Sequence, residues 1–489
     1  MEDTGRIKKA LTPTARRILL GQSLDQSGRE ELWLISQIDQ AHLLMLFDCG
    51  IINHEAAARL LRAIERLRAQ NFAPLEEKRP TRGLYLLYED YLIESEGAEI
   101  GGILQTARSR NDLNATLFKL KLRQPYLRVL HEAVRLHAVL LRRARLYAHV
   151  VMPVYTHAQA AMPLTYGYYL AGVATALLRN LDPIICLFGE MQQCPLGAGA
   201  VAGTSFPIRT ARTAELLGFD SGPSHALHAV ACRDLMLHLL ASASIYALSL
   251  SRFATDMLHW TTAEFNFLSL PDTLVGSSSA MPQKRNAFIL EHVQGRSMSL
   301  LGAFVQAVSS MHSTSFTNSI AVGTEAVRPL WGALQDLTDI TVLMRLMVGG
   351  ARPVTEAMLR RCVEGFTTAT AFADRLVAEH KTDFRTAHRL IGSAVLETLE
   401  LNKENFPAAA ESYVSIHGIS ASFDDLDPES VVKSLEYGGG PGPGSIQHHL
   451  TQLTEKWHSQ NRQRKSYKQN WKDAALMLKR SIGQFIDTK

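Results

Sequence analysis

The sequence predicts an all-α protein organised around a central bundle of very long helices, on three observations. Helical periodicity dominates, while alternating β-branched runs bounded by turn signals are scarce. Neither glycine nor proline occurs between Pro223 and Pro271, and Ser224 stands where an N-cap would, so one unusually long helix is expected over most of that span. Two more stretches share the pattern: Asp112 to Tyr147, with Pro125 expected to bend or start the helix, and Phe288 to Met347. The first of the three spans mixes Leu and Met with Ala and Ser over more than one face, and a helix apolar or small on several sides is buried by several neighbours.

A change of pattern on either side of the bundle divides the chain in three. Residues 1–104 read as an N-terminal helical domain of shorter amphipathic elements, such as HEAAARLLRAIERL from His54. Residues 105–349 form the central bundle, and 350–489 a small C-terminal helical domain and tail. Within the last, YGGGPGPGS from Tyr437 to Ser445 must be loop or turn.

Composition narrows the class of protein. With 489 residues and 46% hydrophobic content, a large core is available. The formal charge of +4 is small and spread out, which gives nucleic-acid binding little support. The densest basic stretch, Asn461 to Lys472, interleaves Tyr467 and Trp471 and reads as a phosphate patch or, more commonly, as a solvated helix with aromatic anchors. Five scattered cysteines without a CxxC pair point to reduced, mostly buried thiols and a cytoplasmic home. The N-terminus has no apolar run after its charges, and no window elsewhere is expected to cross a bilayer, so a soluble protein with no membrane partner is expected.

Three polar segments stand out of the helical background. Thr106 to Thr116 (TARSRNDLNAT) places Arg108, Ser109, Arg110 and Asn111 where a long helix begins; arginine forks suit a carboxylate, and the same residues also suit ordinary capping. Met152 to Thr165 (MPVYTHAQAAMPLT) holds Thr156, His157 and Gln159 between prolines that keep helix from absorbing them. A histidine there can move protons near neutral pH or simply hold structure. Val275 to Glu291 (VGSSSAMPQKRNAFILE) is a hydroxyl-rich loop broken by Pro282 ahead of Lys284 and Asn286, able to surround an anion with a hydroxyl, an ammonium and an amide. The alternative, a serine-rich linker, fits poorly between apolar helices.

These segments carry a resemblance. SSAMPQKRN closely resembles the SSxMPxKxN signature of the fumarase, aspartase and argininosuccinate lyase superfamily; TARSRND and MPVYTHAQAAMPLT resemble two further segments of the argininosuccinate lyase branch, in the same order. CPLGAGAVAGTSFPI from Cys194 and FRTAHRLIG from Phe384 resemble other elements of that branch. The resemblance implies the three-domain fumarase/aspartase-like fold. It also implies a homotetramer whose active sites each draw on three subunits, and a carbon–nitrogen lyase that releases fumarate without a metal or organic cofactor.

Residue roles follow from the same resemblance. Ser278 falls on the base, Lys284 on the cation beside it, and His157 with Glu291 on the acid pair. With Lys284, the succinyl-binding shell falls on Ser109, Arg110, Asn111, Thr156, Ser279 and Asn286, and Arg108, Gln159, Met281 and Gln283 are expected among the other substrate-binding residues. Departures concentrate where the branch recognises arginine: its YNxDLQEDKEPL stretch reads SIAVGTEAVRPL here, with Ser319, Thr324 and Val327 at the contacting positions. Leu92 and Gln105 stand at histidine positions, Met162 at a glutamine, Ala287 at a proline, and no WGGRF-like N-terminal segment is found. An amine other than arginine is therefore expected, for instance a diamine of the ethylenediamine-disuccinate type. A genuine argininosuccinate lyase, an adenylosuccinate lyase suggested by SSAMPxKRN, and a non-catalytic crystallin-like relative remain as alternatives.

Overall fold

Asp25 and Asn53 accept the amides of Gly28 and Ala56, capping α1 (Gln26–Asp48) and α2 (His54–Ala69). The computed structural model describes residues 11–20, 24–76, 78, 83–401 and 405–487; the charged start of the chain through Ala10 lies outside them. With α3 (Leu84–Glu96), these helices bury Leu32, Ile35, Leu60, Ile64 and Tyr88 in an N-terminal core.

Ser109 starts the longest bundle helix. Its side chain and that of Asp112 form a reciprocal capping box for α4 (Arg110–Leu146). At 37 residues this helix is about 55 Å long, and Pro125 lies inside it without ending it. A tight antiparallel hairpin follows, β1 (Val151–Thr156) with β2 (Gln159–Thr165), and then α5 (Tyr166–Met191), α6 (Asp234–Trp260), α7 (Phe288–Met311) and α8 (Arg328–Gly350). Helices α4 to α8 pack successively, and α8 returns against α4, closing a ring around Leu136, Leu178, Leu240, Leu290 and Leu337. Three two-stranded pieces occur among the described residues, so the fold is mostly helical rather than purely so.

Two expected helices are broken. Over the 223–271 span, α6 begins only at Asp234, after a short helix Ala226–Ala231. Arg233 causes the break: its guanidinium donates to the carbonyls of Val230 and Cys232 at 3.1 and 2.8 Å, groups that a continuing helix would have used. Ser224 is no cap; its hydroxyl accepts from Gln193 at 2.9 Å. Over 288–347, the polar run after Met311 competes for backbone partners, as Thr314 does with the Met311 carbonyl at 2.7 Å. A π-helical turn, Ala321–Glu325, precedes α8.

The small C-terminal core stacks Phe372 on Phe406 and Phe423, on α9 (Ala369–His380), α11 (Phe406–Ile416) and the loop after it, with α10 (Phe384–Glu400) alongside. The final helix, α12 (Pro443–Asp487), leaves that region and runs back along α4 and α5 until Leu478 and Ile482 enter the N-terminal core. Tyr467 stacks on Phe188 at 3.5 Å and Trp471 is buried, so this basic stretch is a helix with aromatic anchors.

Contrary to the sequence expectation, α5 and α6 are long and apolar enough to span a membrane by length and composition. The reason is their place in the ring, where neighbours on several sides select apolar residues round the helix. The thiols also differ in part: Cys194 and Cys362 are buried, but Cys186 is exposed.

Two buried histidines set an acid limit. His42 lies within 2.9 Å of the Thr106 carbonyl and His137 within 3.1 Å of the Tyr246 hydroxyl. Burial lowers both from the ordinary 6.5 to about 3, with the Arg108 charge adding to the effect at His42. The folded state thus favours the neutral rings. Their contribution is complete above pH 6.5 and is lost as pH falls towards 3, at up to about 1.4 kcal/mol per pH unit for each ring. Urea titrations at pH 7 and 5.5 should show the midpoint falling, and a His137→Asn variant should show a shallower dependence; a flat wild-type profile would contradict the assignment.

Candidate active site

The first polar segment is built around Asp112. Its carboxylate accepts from the amides of Ser109, Gly197 and Gly199 at 3.0, 2.9 and 3.0 Å, tying the glycine-rich loop after Cys194 to the start of α4. Gly197 has a φ of +102°, which a side chain would strain. Asn111 donates to the Ala200 carbonyl at 3.0 Å and accepts from Asn318 at 2.9 Å, so the turn before α8 reaches this end of the bundle. Arg110 is exposed beside it. Ser109 spends its hydroxyl on the Asn111 amide.

Arg108 does not belong to this shell. Its side chain is fully buried, paired with an equally buried Asp39 and donating to the Tyr85 hydroxyl at 2.8 Å. Burial alone would lower the guanidinium; the Asp39 carboxylate and Tyr85 outweigh it and hold the group above its ordinary range. A side chain sealed within one chain has no path to a substrate. Sequence could not separate Arg108 from Arg110, because both flank the same serine.

The second segment is the β1–β2 hairpin. His157 and Ala158 form its two-residue turn at φ +50° and +61°, the paired left-handed conformation that suits the twist of a tight hairpin. Thr156, His157 and Gln159 therefore project at an exposed tip. The prolines excluded helix, as expected, but two positive φ values without glycine or asparagine are not readable from residue type. Ala158→Gly should relieve the strain and raise stability by about 0.5–1 kcal/mol. Thermal unfolding checks it, and a lower midpoint would count against the strain.

The third segment is also a hairpin. Gly276 pairs with Asn286 and Ser277 with Arg285, enclosing residues 278–284. Arg285 anchors it through Asp272 and through the Leu270 carbonyl at 2.9 Å, facing away from Lys284 and Asn286 by strand alternation. That anchor was missed, although a period of two between Lys284 and Asn286 marks it. At the tip, the amides of Ala280 and Met281 point at the Ser278 hydroxyl oxygen, 3.4 and 3.1 Å away. Donors aimed at that oxygen favour negative charge on it. Ser279, Met281, Gln283 and Lys284 are exposed around it. Glu291 lies in the first turn of α7, where a carboxylate also suits the helix dipole. The side chains of His157, Lys284 and Glu291 make no hydrogen bond or ion pair among the described residues.

The first segment does not meet the other two within one chain. The first lies at the N-terminal end of α4 and the hairpin of His157 follows its C-terminal end, about 55 Å away. The loop leading to Ser278 shares the hairpin's end, since Tyr155 packs on Phe265 at 5.4 Å.

Comparison with known proteins gives this arrangement a family. Two family models match, one described as Lyase over residues 85–302 and one as Argininosuccinate lyase C-terminal over residues 366–436. Argininosuccinate lyase 1 of Shouchella clausii is 30% identical over 488 residues, covering 97% of each chain. The chain belongs to the argininosuccinate lyase family. Argininosuccinate lyase of Methanothrix thermoacetophila is 33% identical, over 87% of this lyase and 89% of its own length. Among solved structures, EDDS lyase in complex with formate superposes with a TM-score of 0.87 at 28% identity, over 99% of the lyase and 97% of that chain. A class II fumarase from Schistosoma mansoni, at 16% identity and a TM-score of 0.68 over 84% and 91% of the two chains, shares the fold. The lyase is thus a fumarate-releasing member of the fumarase/aspartase superfamily.

Proposed function

We propose that the lyase reversibly splits an N-succinyl amine into fumarate and a free amine other than arginine. Ser278 takes the proton from the carbon beside a carboxylate, the two loop amides and Lys284 hold the negative charge that develops, and the bond from the neighbouring carbon to nitrogen breaks on the opposite face. His157, oriented by Glu291, protonates the leaving amine. Arg110, Asn111, Thr156, Gln159, Ser279, Met281, Gln283 and Asn286 enclose the succinyl half, with Ser109 shaping the helix start that presents two of them.

The active unit in this reading is a homotetramer, each site shared by three copies. Its support is the separation of the segments along α4 and an unpartnered stripe on α7. Met298, Leu301, Val305 and Val308 recur there at three- and four-residue spacing, and Met298 is 76% exposed. Such a stripe is a seam for another helix.

The observation against arginine is the turn beside Asn111. The Ser319 hydroxyl accepts from the Val322 amide at 3.3 Å, Thr324 is short and exposed, and Val327 is buried in the bundle core. Each lost polar contact costs about 1–3 kcal/mol. The curated relatives' names favour argininosuccinate, whereas the EDDS lyase likeness favours a diamine. Purified protein incubated with fumarate and arginine, ammonia, AMP or short diamines, followed by fumarate absorbance and mass spectrometry of adducts, decides it. An adduct with a diamine or another amine, but not arginine, is expected. Consumption with arginine alone would make the enzyme an argininosuccinate lyase, and no consumption with any amine would favour the crystallin-like alternative.

A further inference from the structure

A cavity of about 650 Å³ lies between α5, α6 and the start of α12. It contains none of the residues given roles above. One wall is apolar, formed by Val154, Leu164, Val173 and Phe253; the other carries Arg252 and Asp256 from α6 and His448 and His449 from α12. The Tyr168 hydroxyl donates to the Gly439 carbonyl at 2.9 Å and pins the glycine loop at the rim. Both histidines are already engaged, His449 2.8 Å from the Thr175 hydroxyl and His448 3.0 Å from the Gln452 side-chain amide. The first amides of α12 are engaged too: Gly444 and Ser445 donate to the Glu436 carboxylate at 2.9 and 2.7 Å. What remains for a ligand is therefore side-chain charge.

That charge is of both signs. Arg252 and Asp256 are one helical turn apart, yet no ion pair joins them among the described residues, and the Tyr169 hydroxyl donates to one oxygen of Asp256. A simple anion would meet Arg252 but leave the carboxylate facing it; a simple amine would do the reverse. A molecule bearing both charges satisfies both groups. We propose that this cavity binds an α-amino acid with an apolar or aromatic side chain. Its carboxylate lies on Arg252, its ammonium on the free oxygen of Asp256, and its side chain on Val173, Leu164 and Phe253. Val154 and Leu164 of the apolar wall belong to the hairpin whose turn carries His157, so a bound amino acid rests on the base of that hairpin.

Calorimetric titration of the full-length Ser278→Ala protein, whose turnover is expected to be strongly lowered, tests the proposal with L-phenylalanine and L-leucine as probes. 3-Phenylpropionate and phenethylamine each lack one charge. Saturable binding of an amino acid is expected, weakened about tenfold or more for both controls and in the Arg252→Gln and Asp256→Asn variants. Those variants should keep the elution volume of the parent on size exclusion, and binding should persist in saturating fumarate. No saturable heat with either amino acid would overturn the proposal, as would equal binding of the controls, indifference to both substitutions, or displacement by fumarate.

Discussion

Ser278→Ala is expected to lower turnover about 10²–10⁴-fold, the range that loss of a positioned general base produces, while leaving assembly and thermal midpoint unchanged. The two halves of that expectation have separate structural grounds. The hydroxyl oxygen is the group at which the Ala280 and Met281 amides point, so its removal takes away the site where charge is held. Among the described residues it makes no hydrogen bond outside its own loop, so stability should move by no more than about 0.5 kcal/mol. Steady-state rates with the preferred amine and a melting curve measure both. Ser279→Ala, one residue along the same loop, should lose far less activity. Near-wild-type turnover in the Ser278 variant would remove the serine from the mechanism.

The second large effect concerns stability. Asp39→Ala leaves the Arg108 guanidinium buried without its counter-charge, and breaking a buried pair from one side costs about 3–5 kcal/mol. Arg108 directly precedes Ser109, so the loss should also loosen the capping box that orients Arg110 and Asn111. The expected result is a fall of the urea midpoint, at fixed protein concentration, that an Asp39→Leu/Arg108→Met double substitution largely restores. A midpoint unchanged by Asp39→Ala would mean that Arg108 finds water or another partner.

How much of this was legible in the sequence differs from element to element. The bundle was legible because buried helices carry small and apolar residues on several faces, but its breaks were harder to see. Arg233 ends a short helix with its own side chain, which no spacing rule records. The polar run HSTSFTNS after Met311 was a readable stop signal outweighed by apolar residues on both sides. The three motif segments were found by composition and resemblance, and the structure makes each a helix start or a hairpin. Sequence did not distinguish a buried arginine from an exposed one two residues away, since that depends on Asp39, far off in the chain. Nor did it show Asn318 reaching Asn111 across the end of the bundle.

The proposed chemistry requires residues from different copies of the chain. Asn111→Leu and Ser278→Ala proteins, each inactive alone, can be dissociated, mixed in equal amounts and reassembled. If each site takes its first and third segments from different chains, random mixing restores about a quarter of wild-type activity, because that fraction of sites receives both native residues. Complete inactivity of the mixture, with hybrid assemblies demonstrated by mass spectrometry, would place both residues of a site on one chain and rule out a shared site.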